Sequence, residues 1–465
     1  MPRDMTKGNP FRQIIAFWIP LMIGIIFQQF YNMADSIIVG KFVGVDALAG
    51  VGSTGAVNFL ILGFANGLCS GFSVMYGQCF GAGDYKRMRS YIANAIRLAA
   101  VIALILTPAA VYFCRDFLIF MDTPREILDE AFGYISVIFA GIPVLMMYNC
   151  GAAILRSIGD SKTPVYALVA SAGINIILDL VFVAVLHTGV WGAAAATVIA
   201  QGISGGVCFF YMLRKYDILR FTREDWKWDA PKTRRLLSTG VPMALQYSIT
   251  AAGSVILQTA ANGLGADCVA AMSAGSRIQG VFSGAMEAAG VTMASFCSQN
   301  MGAGKYGRIR KGIADGIILE ILLSGAGFVL LNLLGTPLAL LFVDASEAEV
   351  IRLIRVYLKV TTSSYVLLGV LYVLRSGIQG MGYGVLPMCA GLFELAGRIF
   401  AAFFLVKPLG FIGVTLANPA AWLAADLLLV GVYLYIRRKV LSPEKQRGFR
   451  NKKICKRNKI RREKE

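Results

Sequence analysis

Apolar residues run along this chain in twelve long blocks separated by short polar, often basic, intervals. The blocks lie approximately at 14–38, 50–79, 91–113, 129–155, 164–186, 190–213, 236–262, 273–300, 312–334, 350–378, 386–406 and 411–436. Each is near the ~20 residues a helix needs to cross a hydrocarbon layer. A segment in lipid must satisfy its own backbone groups, which leaves helices or a closed barrel. The blocks are continuous rather than alternating, so they predict helices. The expected fold is an all-α integral membrane protein of about twelve transmembrane helices, spans 1 to 12.

The chain repeats itself. Cys79-Phe-Gly-Ala-Gly-Asp-Tyr-Lys-Arg-Met-Arg89 recurs as Asn300-Met-Gly-Ala-Gly-Lys-Tyr-Gly-Arg-Ile-Arg310, a shift of 221 residues. At the same shift Gly44-Val-Asp-Ala-Leu-Ala49 meets Gly265-Ala-Asp-Cys-Val-Ala270, and Gln78 meets Gln299. Six spans per half is an even number, so the halves share one orientation and form a parallel repeat with a cleft between them. The expected organisation is an N-terminal lobe over 1–213, a basic linker over 214–235, a C-terminal lobe over 236–436 and a basic tail over 437–465.

Loop charge predicts the orientation. Lys86, Arg87 and Arg89 follow span 2, Arg156 and Lys162 follow span 4, and Lys305, Arg308, Arg310 and Lys311 follow span 8; the linker adds eight basic residues. All fall on one side if the helices alternate. The other side carries few, chiefly Lys41, Arg115, Arg125 and Lys407, together with Asp344, Glu347 and Glu349. The positive-inside bias then places both termini in the cytoplasm of a multi-pass cell (inner) membrane protein. The net charge of +18 sits in loops and tail, 14 Lys and Arg between Arg437 and Lys464. That suits anionic lipid and argues against a nucleic-acid partner.

Composition agrees. Only 15% of residues are charged, against about 25% in soluble domains, and the 50 glycines allow close helix approach. The nine cysteines show no metal-ligand spacing and read as small buried hydrophobes. His187 reads as a loop residue. Gly302-Ala-Gly-Lys305 is followed by Tyr306, not Ser or Thr, so it is not a nucleotide-binding loop. Nothing argues for an enzyme or a cofactor.

Ionisable residues inside spans carry the chemistry, because a carboxylate at the bilayer centre costs about 2.5–3.5 kcal/mol on insertion scales. Asp35 ends span 1, after Pro20 introduces a kink. Asn175 and Asp179 share one face of span 5, and Ala193 and Thr197 one face of span 6. Two carboxylates, an amide and a hydroxyl are hard oxygen donors suited to sodium or a proton. The same spacing also fits a polar network that only holds helices together, and spacing does not choose between them.

The span from Pro20 to Asp35, the Gly-Ala-Gly repeats, the loop Arg156-Ser-Ile-Gly-Asp-Ser-Lys-Thr-Pro164 and the run Leu416-Ala-Asn-Pro-Ala-Ala-Trp422 together resemble the multidrug and toxic compound extrusion family over about residues 10–440. The resemblance implies export of organic, often cationic, small molecules in exchange for sodium or protons, by two rocking lobes. It also implies a cation site at Asp35, Asn175, Asp179 and Thr197, with the Ala193 backbone nearby, and Na+ or H+ as coupling ion. Some members need a carboxylate in span 7, where this chain has Thr250, so coupling is expected in the N-terminal lobe. Pro20 is the expected hinge and the expected assembly is a monomer.

Further residues are candidates for the substrate cleft: Glu287, Tyr31, Met147, Tyr148 and Phe282, with Met146 beside them. Each also has a packing or lipid-facing reading. Glu394 and Arg398 are spaced for an intrahelical ion pair, which Asp426 would join. Two rival functions stay open: a lipid-linked oligosaccharide flippase, which would need cations in the cleft, and an uncoupled channel or structural membrane protein.

Overall fold

The computed structural model describes residues 3–121 and 123–442, and among these it is helical without strands. The tail beyond residue 442 lies outside the described residues. Spans 1 to 3 are Pro10–Phe42, Gly55–Ala82 and Tyr85–Phe120. Span 4 is a bent pair, Arg125–Ala140 and Ile142–Ser157, turning by 50°. Spans 5 to 7 are Lys162–Val185, Gly189–Lys215 and Ala230–Asn262. Span 8 is Ala266–Gly302 and span 9 is Tyr306–Leu333. Span 10 is a second bent pair, Ala348–Ser363 and Tyr365–Gly380, turning by 48°; spans 11 and 12 are Val385–Leu409 and Phe411–Lys439. Among the described residues nine helices are long and apolar enough to cross a membrane, or eleven with each bent pair taken as one span. Span 8 completes the set. Its 37 residues reach about 55 Å at ~1.5 Å per residue, but Ser273, Ser276, Gln279 and Ser283 dilute its hydropathy.

The duplication extends to irregular backbone. A π-helical stretch ends span 5 at Leu180–Val185, and a second interrupts span 11 at Ala401–Leu405, 221 residues on by first residue. Gly44 and Gly265 open equivalent short turns at φ 130° and 102°, a region that costs a side chain but not glycine.

Two apolar cores follow the two halves. One gathers spans 2 to 6, the other spans 8 to 12. Span 1 is divided: Ile14, Phe17, Trp18 and Leu21, with Met5 ahead of the helix, join the second core, and the Trp18 indole donates to Ala285 O of span 8 at 2.9 Å. On its other side Gly24 lets span 5 approach through Val165. The helix carrying Pro20 and Asp35 therefore runs along the seam between the halves.

The linker is not a free tether. It folds into two 3-10 turns, and a capping box joins Thr222 and Asp225. Arg89 of the repeated motif binds Asp225 at 2.9 Å, and Asn94 and Ser90 of span 3 take Asp229 N–H and Lys232. Burial alone would push the Asp225 carboxyl up, but the Thr222 hydrogen bonds and the Arg89 guanidinium hold it below the usual carboxylate range.

Candidate functional site

Spans 1, 5 and 6 bring Asp35, Asn175, Asp179 and Thr197 together. Asp35 and Asp179 are buried, and their carboxylates are neighbours. The Asn175 amide, turned so that both its atoms are satisfied, donates to Asp179 Oδ2 at 3.1 Å and accepts from Thr197 N–H at 3.2 Å. Tyr31, one turn before Asp35, lines the same cavity as Thr197. Ala193 is fully buried one turn before Thr197. Among the described residues one oxygen of each carboxylate, Asp35 Oδ1 and Asp179 Oδ1, has no hydrogen-bond partner. Leaving such atoms buried and unpaired is costly. Hard, unpaired oxygens are what a sodium ion or a proton would satisfy, so the donor set fits either. A void of about 10 Å³ beside Asn175, Tyr31 and Gln201 has room for about one water-sized guest.

This pocket opens through Asp35, Tyr31 and Thr197 into a cavity of about 450 Å³ between the halves. Among the described residues its wall carries two carboxylates, Asp35 and Glu287, and no lysine or arginine. Tyr31, Tyr134, Tyr148, Tyr247 and Phe59 supply aromatic faces, which attract cations by their ring quadrupoles. Side-chain amides, Asn58, Asn66, Asn149 and Gln201 among them, supply polar contacts.

On the side of the basic loops the halves are shut. Span 2 lies backbone to backbone on span 7: a Cβ at Gly71 would sit 2.5 Å from Gly240 Cα, and one at Gly67 would sit 2.7 Å from Met243 O. Farther along, the duplicated motifs cross reciprocally. A Cβ at Gly81 would fall 1.8 Å from Gln299 O, and one at Gly302 would fall 1.8 Å from Gln78 O. The two glutamines reach across as well. Gln299 Nε2 donates to Ser157 O at the end of span 4 at 2.9 Å, and Gln78 Nε2 donates to Gly380 O at the end of span 10 at 3.4 Å. An N-terminal strap covers the crossing: Met5 N–H donates to Gln299 Oε1 at 2.9 Å, and Arg308 and Lys305 hold the carbonyls of Met5, Thr6, Lys7 and Gly8.

Of the cleft candidates, Glu287, Tyr31 and Tyr148 line the cavity. Met147 and Phe282 do not. Met147 lies over Gly205 of span 6, and Phe282 packs against Gly327 of span 9, in the second core. Helical phase explains both, because their neighbours Tyr148 and Glu287 occupy the inward face. Met146 is fully packed in the first core. Pro20 lies inside an unbroken helix. Glu394 is 4.0 Å from Arg398 but forms its closer ion pair with Arg375 of span 10, while Arg398 donates to Thr250 O of span 7 at 3.3 Å. Asp426 is buried near Arg375 with both oxygens unpaired. Sequence reasoning missed Tyr134, Tyr247 and the cavity amides. They come from several helices with no shared motif, and only their polarity inside apolar blocks marks them.

A family model described as MatE matches the chain twice, over residues 20–181 and 242–404, once in each half. The probable multidrug resistance protein YoeA of Bacillus subtilis is 26% identical over 93% of this chain and 96% of its own length. The probable multidrug resistance protein NorM of Thermotoga maritima is 25% identical over 86% of this chain and 87% of its own. Among solved structures, one described as the outward-facing conformation of a multidrug resistance MATE family transporter of the MOP superfamily superposes with a TM-score of 0.86 at 24% identity, covering 93% of this chain and 97% of that one. With the family model matched over most of its length and the same fold in its relatives, the chain belongs to the MatE family of multi-pass membrane proteins.

Proposed function

We propose that this protein is a secondary active efflux transporter that exchanges sodium or protons for organic cations by alternating access. The observation that carries this reading is the pair of buried carboxylates, Asp35 and Asp179, each with an unpaired oxygen, opening onto an acid-lined cavity between the halves. A cation entering from the cavity side binds the pair and favours the state that gives up substrate. Substrate, arriving when the basic-loop side is open, favours the reverse. Coupling requires only that each ligand prefer a different state. Pro20, where span 1 passes along the seam, is the hinge of this scheme, and Glu287 and the tyrosines hold the substrate's positive charge. The names of the curated relatives, multidrug resistance proteins, support a drug-like substrate. The bias of basic residues toward one set of loops supports cytoplasmic termini, with the cavity facing outward from a cell membrane. An anionic pyrophosphate, as a flippase would carry, would meet two carboxylates and, among the described residues, no cation in this cavity.

The test is efflux of a fluorescent organic cation from vesicles with sodium and pH gradients imposed independently. Efflux driven by either gradient is expected. Flux that persists at the same rate with both gradients collapsed would sink the coupled reading in favour of a channel.

A further inference from the structure

The first arm of span 10, Ala348–Ser363, carries Arg352, Arg355 and Lys359 on the side opposite the basic loops. Spacings of three and four residues put them on one face, and all three are exposed. Cations on this side run against the charge bias that orients the rest of the chain. Glu349 holds Arg352 through two bonds of 2.8 and 2.6 Å. Among the described residues no carboxylate lies within 4.0 Å of Arg355 or Lys359. Both line a concavity of about 400 Å³ walled by Asn332, Thr336, Leu331 and Ile351. Span 9, whose end walls this concavity, and the segment that follows it expose large apolar side chains, Leu333 at 73% and Leu341 at 74%. Apolar residues so exposed at the end of a transmembrane helix sit well against acyl chains. The concavity beside them then lies at the level of lipid headgroups.

Snorkelling would account for a single long side chain reaching water. It does not account for two uncompensated cations converging on one concavity with an apolar flank. A ligand that matches must carry a negative, phosphate-like head and a hydrocarbon tail. We propose that this concavity binds the headgroup of an anionic phospholipid from the leaflet opposite the basic loops. Arg355 and Lys359 hold its phosphate, and an acyl chain lies along Leu333 and Leu341. A bound lipid would tie the end of span 9 to the first arm of span 10, above the 48° bend.

The experiment is lipid retention on the purified protein, read by native mass spectrometry, with phosphatidylglycerol and phosphatidylcholine of identical chains. The wild type should retain phosphatidylglycerol preferentially. Arg355→Gln with Lys359→Gln should cut that preference by roughly ten- to thirtyfold, given the attraction each basic residue contributes near an anionic surface. Lys41→Gln with Arg125→Gln, on the same side but away from the concavity, should leave it unchanged. Equal retention of the two lipids, or undiminished preference in the first double variant, would overturn the proposal. So would full competition by inorganic phosphate, which would mark a free-anion site instead. If the double variant does not fold, the two-lipid and phosphate comparisons on the wild type still decide the matter.

Discussion

Replacing the two glycines at the reciprocal crossing should push the protein out of the state described here. In Gly81→Ala the new methyl would fall 1.8 Å from Gln299 O, where ordinary contact begins near 3.4 Å. The obstacle is backbone, so no side chain can rotate away, and the helices must part by roughly 1.5 Å to restore van der Waals separation. Gly302→Ala repeats the clash against Gln78 O. Overpacking of this kind costs about 1–3 kcal/mol and occasionally more, and the two sites share one crossing, so their effects need not add. A state in which the halves separate on the basic-loop side does not feel the clash. The equilibrium should therefore shift toward it by about fivefold to over a hundredfold, a factor of ten for each ~1.4 kcal/mol. Asn58→Cys on the cavity wall reports the shift through its labelling by a membrane-impermeant maleimide, read above the baseline of the native cysteines. Labelling should slow in the double glycine variant, by at most that factor, because it follows the fraction of protein left in the open-cavity state. Gly206→Ala, where an added Cβ meets nothing within 4 Å, is the control. Unchanged labelling in folded Gly81→Ala, Gly302→Ala protein would refute the idea that this crossing is the closed gate.

Gln299→Ala removes the bonds to Ser157 O and Met5 N, each worth about 0.5–1.5 kcal/mol net. It should slow the same labelling in the same direction but less. Glu287→Gln removes one of the two cavity carboxylates; it should raise the KM for cationic substrates severalfold while leaving neutral ones little changed, and an equal effect on both would contradict its assigned role. Asp225→Asn weakens the buried bonds that tie the linker to span 3, at about 1–3 kcal/mol, and should speed limited proteolysis over 214–229. Because the folded Asp225 carboxyl is lowered, its contribution is present above the unfolded value of about 3.9 and fades as pH falls through the folded value. Wild-type resistance to cleavage should thus hold from neutral to mildly acidic pH and be lost only in stronger acid.

Hydropathy was enough to place the twelve spans because lipid demands long apolar helices, and the repeat offset was enough to pair the halves. The breaks in spans 4 and 10 were not legible. At span 4 Gly141 packs under Val198 and Pro143 follows. At span 10 the hydroxyls of Thr361 and Ser363 bond back to the preceding turn, which bends helices. The first depends on a packing neighbour the sequence does not place; the second uses hydroxyls of a kind common inside spans that stay straight. The carboxylate pocket was visible as polar residues at helical spacing, yet its meeting point rests on how spans 1, 5 and 6 pack. Gly81 and Gln299 stood out as repeat positions. Their mutual contact joins residues more than 200 apart and follows only from the pseudo-twofold arrangement of the halves.

The account turns on Asp35 and Asp179 capturing the coupling ion. Gradient-driven efflux by Asp35→Asn protein, normalised to its amount in the vesicle membrane and compared with its equilibrium binding of the same substrate, tests this most directly. Binding close to the wild type is expected, with efflux that no longer responds to either gradient. Wild-type efflux under an imposed gradient would contradict it.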